Sequence, residues 1–284
     1  MFTGLSAFPL TPLADDRLDE TAYAGLVSRL AAAGVDSITA LGSTGSYPYL
    51  SAGERSRALR VAIAEAGPTP VFAGIGALRT SQVLAYAADA QAAGAAAVLL
   101  APMTYQPLTA DDVYGLFEDV TAELSVPLIV YDNPGTTHVT FTDDLYAAVA
   151  KLPKVASLKI PGPVTRERVE ELRKLLPVGV AIGISGDVHA ADGLANGCDV
   201  WYSVVGGTLP AAAVPVARSV PGAAGRLGSL FELFARYGSL RVTAAIAEQL
   251  GLARRSCLPR PLRGLDDGAR AEVSAVLTAL DLAR

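Results

Sequence analysis

Cysteine and histidine are nearly missing from this chain, which carries two of each: Cys198 and Cys257, His138 and His189. Neither cysteine belongs to a C-x-x-C pair, so the spacing supports neither a zinc site nor a disulfide framework, and both read as buried thiols. Two histidines give little support to a His-rich catalytic metal. Lysine is scarce too, since of 23 basic side chains only Lys151, Lys154, Lys159 and Lys174 are lysines. No basic block offsets the formal net charge of -5, which argues against a nucleic-acid or anionic-membrane partner. No apolar run is long and unbroken enough to span a bilayer, and no signal-like segment precedes the first expected strand, so the expected location is cytoplasmic.

What is present is apolar and periodic. Hydrophobic residues make up 51% and charged residues 18%, a composition of ordered globular proteins. Short apolar runs stopped by glycine or proline predict strands over 4–8, 35–41, 70–74, 95–100, 127–131, 155–160, 178–184 and 200–204. Helical stretches intervene, with Ser51 and Glu54 spaced as a capping box, Thr109 as a cap, and Thr140 or Thr142 opening the helix through Val149. Eight alternations with near-continuously apolar strands predict a TIM (β/α)8 barrel of the α/β class. No glycine-rich dinucleotide fingerprint follows the first strand, which disfavours the rival open doubly wound sheet. Helical patterns at about 210–219, 223–236, 239–250 and 266–281 predict a C-terminal appendage of about three helices. The expected division is a barrel over 1–220 and an appendage over 221–284 packed on it, with no separating linker.

Barrel chemistry belongs to the C-terminal ends of the strands. Those ends offer hydroxyls, glycines and one amine, and no pair of carboxylates. Lys159 closes the run Val155-Ala-Ser-Leu-Lys159-Ile160. It reads either as a rim lysine whose stem covers apolar surface while its head reaches water, or as an amine kept neutral by burial and fit to attack a carbonyl. Gly42-Ser43-Thr44-Gly45 is either a tight turn or a cradle of hydroxyls and backbone N–H groups for a carboxylate. Tyr131, on the strand next to that of Lys159, is a proton relay or a rim phenol. Asp132 and Asn133 either bind substrate or form the Asx turn that Pro134-Gly135 suggests, and the pattern favours the turn. His138 lies two residues beyond, Tyr105 stands at the mouth or a subunit contact, and Asp187 reads as a helix N-cap that, with Ser185, faces the same mouth. Ser203 ends the eighth strand. The cysteines and Trp201 read as packing residues.

Gly42-Ser-Thr-Gly45 after strand two, Tyr131-x-x-Pro134 after strand five and Lys159 in strand six together resemble the dihydrodipicolinate synthase / N-acetylneuraminate lyase family of Schiff-base, class I aldolase-type barrels. The resemblance covers essentially the whole chain. It implies that Lys159 forms an imine with the keto group of pyruvate or another 2-keto acid, that Tyr131 relays protons, and that Ser43 and Thr44 hold the carboxylate and complete the relay. It implies no metal or organic cofactor, and a homo-oligomer, dimer or tetramer, as commonly formed by that family.

Departures concern the second substrate. Family synthases carry an arginine where Thr136 stands, and threonine cannot replace bidentate carboxylate recognition. Ser46 replaces a common glutamate, and Thr104, with Tyr105 one further on, stands where synthases place a tyrosine that crosses a subunit interface. Gly135-Thr136-Thr137 does not reproduce a sialate-lyase sugar site. As an atypical member, the chain is therefore read as a 2-keto-acid aldolase or lyase with an unidentified aldehyde partner. The alternatives are 4-hydroxy-tetrahydrodipicolinate synthase acting on aspartate semialdehyde, a 2-keto-3-deoxy acid dehydratase, and a non-catalytic keto-acid-binding protein. Thr104, Tyr105, Thr136, His138, Ser185, Asp187 and Ser203 join Thr44 as candidate substrate contacts.

Overall fold

Eight short strands carry the fold: β1 (Gly4–Ala7), β2 (Ser37–Ala40), β3 (Val71–Gly74), β4 (Ala97–Leu100), β5 (Leu128–Tyr131), β6 (Val155–Pro161), β7 (Ala181–Ser185) and β8 (Val200–Ser203). A computed structural model describes residues 1–282. Neighbouring strands pair in parallel, and β8 pairs with β1 to close the barrel. The expected TIM barrel is therefore the observed one. Strand side chains are buried on both faces, which is why the runs are apolar throughout instead of alternating.

The two faces feed different cores. Leu158, Ile160, Ile182 and Ile184 belong to the layer between strands and helices. Phe8, Phe72, Leu99, Ile129, Tyr131 and Tyr202 form a separate cluster inside the barrel. Because strand side chains alternate with a period of two, Lys159 between Leu158 and Ile160 is turned to the inside. There its ammonium position lies 3.8 Å from the Tyr131 ring centre and 5.5 Å from that of Phe8.

Capping works as the sequence predicts. Ser51 and Glu54 form a reciprocal box, and Thr142 caps the helix Asp143–Val149. Thr109 also forms a box, with Asp112 as its partner.

Three differences have local causes. A two-residue hairpin joins Leu13–Ala14 to Arg17–Leu18, with Asp15 and Asp16 both left-handed at φ 51° and 60°. Such a turn normally advertises itself with Asn-Gly or Asp-Gly, and Asp-Asp hides it. The strand expected from Val178 begins at Ala181, because Val178 is fully exposed beside Gly179 at φ 95°. The helix expected to follow Asp187 as its N-cap opens instead with a 3-10 turn, Asp187–His189, and continues as Ala190–Ala195. The C-terminal appendage contains the helices Gly228–Tyr237, Ser239–Gln249 and Asp267–Ala279. Among the described residues no helix is long and apolar enough to cross a membrane.

Close backbone contact shapes the mouth. A Cβ on Gly74, at the end of β3, would lie 1.9 Å from the carbonyl oxygen of Leu41. Leu41 leads directly into the Ser43 turn and is itself left-handed at φ 58°, so neither backbone can yield cheaply. Gly74→Ala is expected to cost about 3 kcal/mol and to lower the melting temperature in thermal denaturation. An unchanged melting temperature would mean that the Leu41 segment moves freely.

Candidate active site

The barrel's C-terminal mouth opens into a cavity of about 600 Å³ lined by Ser43, Thr44, Tyr131, Thr136 and Lys159, among others. These five come from the ends of three strands, β2, β5 and β6, as barrel sites draw on several strands. Tyr131 and Lys159 are register partners on adjacent strands. Lys159 is 5% exposed. Burial holds its amine below the ordinary lysine value, against the opposing pull of the Tyr131 phenol and of the Asp187 and Asp132 carboxylates. The reading of Lys159 as a rim lysine reaching water does not hold.

Tyr131 is the centre of a short chain of polar groups. Its hydroxyl accepts a hydrogen bond from Asn133 Nδ2 at 2.8 Å and lies 3.4 Å from Ser43 Oγ, where either oxygen can donate. With the amide as donor, the phenol hydrogen is left free to point at Ser43 or into the cavity. Gly42 makes room for this turn, because a Cβ there would come within 2.5 Å of the Phe8 ring. On the other side of Lys159, Gly183 is its register partner and lets the Tyr202 ring lie across the strand pair. Tyr202 is fixed by a 2.7 Å hydrogen bond with Ser157 and forms part of the cavity wall.

Asn133, which the sequence favours as an Asx-turn residue, is instead a partner of the phenol. The available signal was its spacing, since a residue two positions beyond Tyr131 can return to the same face of an extended chain. Asp132 departs from the turn reading as well. Its buried carboxylate turns away to accept from the Tyr146 hydroxyl, and its other oxygen, Oδ1, has no hydrogen-bond partner. Burial raises its pKa, partly offset by the Tyr146 hydrogen bond and by Lys159.

Other candidate contacts lie outside the cavity lining. Asp187 is not a side-chain N-cap of the turn it begins. Its buried carboxylate accepts from Trp201 Nε1 at 3.0 Å and from the backbone N–H groups of Val204 and Val205 at 3.1 and 2.6 Å, tying down the loop after β8. Trp201 is thus a hydrogen-bonding anchor as well as a packing residue. Ser185 donates to the Ile160 carbonyl, and Ser203 accepts from the Gly206 N–H. His138 is exposed and left-handed at the end of the one-turn helix Pro134–Thr137. Thr104 is half-buried, and Tyr105 is 89% exposed on the loop after β4. Cys198 and Cys257 are buried free thiols, pushed by burial to about 11 and about 12. Among the described residues no group of three or more His, Cys, Asp or Glu could hold a metal.

The lowered Lys159 value carries a consequence for stability. Between that value and the ordinary 10.5, the unfolded chain binds a proton at this lysine that the folded protein does not. The unfolded state then holds more protons, so stability rises with pH across that window. Urea unfolding of wild type and Lys159→Met from pH 7 to 10 should show wild type gaining relative to the variant as pH rises. A flat difference would mean that the folded protein holds the ammonium.

Comparison with known proteins agrees with this architecture. The sequence profile described as the Dihydrodipicolinate synthetase family matches residues 1–280. A 4-hydroxy-tetrahydrodipicolinate synthase of Anaplasma marginale (strain Florida) is 30% identical over 294 aligned positions, covering 100% of this chain and 95% of the relative. An uncharacterized DapA-like lyase of Halobacterium salinarum is 29% identical, covering 95% and 90% respectively. The crystal structure of a dihydrodipicolinate synthase from Agrobacterium tumefaciens superposes with a TM-score of 0.94 at 41% identity, covering 98% of both chains.

Proposed function

The chain belongs to the Dihydrodipicolinate synthetase family, whose members are class I aldolase-type lyases, and from that premise we propose that it joins or splits carbon–carbon bonds through an imine on Lys159, with pyruvate or a related 2-keto acid as the first substrate. One observation carries the reading: a buried, deprotonation-prone amine beside a phenol that is itself hydrogen-bonded within a hydroxyl-bearing cavity. The neutral amine attacks the C2 carbonyl, water leaves, and the protonated imine withdraws electrons from C3. In cleavage, a C4 hydroxyl loses its proton, the C3–C4 bond breaks and its electron pair moves into the enamine of pyruvate. Condensation is the reverse.

Tyr131 takes the proton from the C4 hydroxyl and delivers one to the carbinolamine oxygen that leaves C2 as water, with Ser43 as the next oxygen of the relay and Asn133 holding the phenol in place. Thr44 and the Ser43 turn receive the C1 carboxylate. The imine performs the polarisation for which other aldolases use a metal. A homo-oligomer in the cytoplasm belongs to the same proposal, with exposed Tyr105 as a surface for a second copy to cover.

Borohydride reduction in the presence of pyruvate, followed by peptide mass analysis, tests the reading. A reduced pyruvyl adduct on the Lys159 peptide is expected, and its absence counts against the imine. Tyr131→Phe should still form the adduct while losing roughly 100- to 1000-fold in kcat. The synthase function of the Anaplasma relative is the second reading, favoured by that resemblance, and turnover with aspartate semialdehyde would select it.

A further inference from the structure

The cavity around Lys159 has two unlike halves. Its inner end, where Phe8, Thr44, Tyr131, Lys159 and Tyr202 are buried, carries the hydroxyls and the amine. Its outer wall is made of Pro48, Tyr49, Met103, Val204, Leu240 and Leu262, all of them lining residues that are partly or substantially exposed. Apart from Lys159, the polar side chains that line the cavity are neutral. Thr136 already leans on the Asn133 carbonyl at 3.4 Å, which leaves Ser239 as a free hydroxyl donor on that side. Among the described lining residues Lys159 is the one cationic side chain, and imine formation commits it to the first substrate.

From this asymmetry we infer that the second substrate is an uncharged aldehyde with an apolar body, aliphatic or aromatic; the inference rests on the imine reading above. A carboxylate or phosphate in the outer half would give up its hydration against Leu240, Leu262 and Met103 with no cation in the cavity lining there to receive it, which is costly. An alkyl or aryl group loses nothing there and gains from leaving water. The Tyr49 ring, 49% exposed at the opening, offers a face on which a flat substituent can lie. The cavity is also far larger than a three-carbon acid requires, so a substantial second body fits beside it.

In the condensing direction, C3 of the enamine forms a bond to the aldehyde carbon. The C=C electron pair makes that bond while the nitrogen pair restores the protonated imine. The aldehyde oxygen takes a proton from Tyr131, and water hydrolyses the imine to release a 4-hydroxy-2-keto acid and return the Lys159 amine. Cleavage of such an acid with an apolar group at C4 runs the same steps backward.

The test offers the enzyme pyruvate together with butanal, 3-methylbutanal and benzaldehyde in one arm, and glyoxylate, succinic semialdehyde and glyceraldehyde 3-phosphate in the other, following the 4-hydroxy-2-keto acid by chromatography. The expected kcat/KM is roughly 100-fold higher for the apolar aldehydes. Thr136→Arg and Leu262→Arg, each checked for native circular dichroism, should narrow that ratio about tenfold by giving an anion a partner. Faster turnover of the anionic aldehydes, no turnover of the apolar ones while pyruvate still labels Lys159 under borohydride, or a ratio unmoved by both arginine variants overturns the inference. Loss of the borohydride adduct itself instead overturns the imine reading on which the inference stands.

Discussion

Lys159→Ala is expected to reduce kcat/KM for 2-keto-acid turnover by at least about 10⁴-fold, because it removes the amine on which the proposed imine forms. No other lysine can substitute. Lys151 and Lys154 flank the turn before β6, Lys174 lies on the helix Arg166–Leu175, and none of the three lines the cavity. The loss should be separable from unfolding. A buried amine that pays a desolvation cost contributes little to stability, and its removal from an apolar setting is expected to be neutral or mildly stabilising near neutral pH. Lys159→Met, which keeps the length of the side chain, should therefore melt at or above the wild-type temperature while showing no borohydride adduct. Lys159→Arg separates charge from nucleophilicity, since the guanidinium stays protonated and cannot become an imine. Residual activity in Lys159→Met above about one thousandth of wild type would mean that the enzyme polarises the keto group in some other way.

Lys159 and its neighbourhood also mark how far sequence reading reaches. Strand periodicity and the Pro-Gly stop after Ile160 were enough to put the lysine at the barrel mouth, and consecutive strand order was enough to put Tyr131 beside it. The choice between a rim lysine and a buried amine was not available from sequence, because it depends on Phe8 and Tyr131 closing over the nitrogen from two other strands. Loop residues were harder. Asp187 has the local pattern of an N-cap, yet its carboxylate is claimed by three donors on and beyond β8, a contact over 14 to 18 positions that no local pattern encodes. Ser185 and Ser203 sit at strand ends as expected, but each is spent on a backbone group within the rim. The outer wall of the cavity mixes residues from the loops after β2 and β4 with Ser239, Leu240 and Leu262 of the C-terminal appendage. Its apolar character is a property of the assembled surface, and each contributor alone reads as ordinary packing.

That wall depends on a single buried carboxylate. Glu248, near the end of the helix Ser239–Gln249, has a side chain only 3% exposed. One oxygen pairs with Arg270 of the last helix, and the other accepts from the backbone N–H groups of Ser256 and Cys257 at 2.9 and 3.3 Å. The carbonyl of Cys257 in turn accepts from the Leu13 N–H of the N-terminal hairpin at 2.8 Å. Glu248 thus clamps the loop carrying Leu262 between two helices and the barrel. Glu248→Ala leaves Arg270 mostly buried without its carboxylate and two amides without an acceptor, which is expected to cost about 3–5 kcal/mol. For a chain of this size that corresponds to a fall in melting temperature on the order of 10 °C. Glu248→Gln keeps an acceptor for the amides and loses only the charge, so it should fall between the two. The functional consequence follows from the same contacts. At temperatures where Glu248→Ala is still folded, the freed Leu262 loop should raise KM for the aldehyde several-fold while leaving the rate of pyruvate labelling at Lys159 unchanged. Equal loss in both measurements would mean that the clamp supports the whole barrel mouth instead of its outer wall.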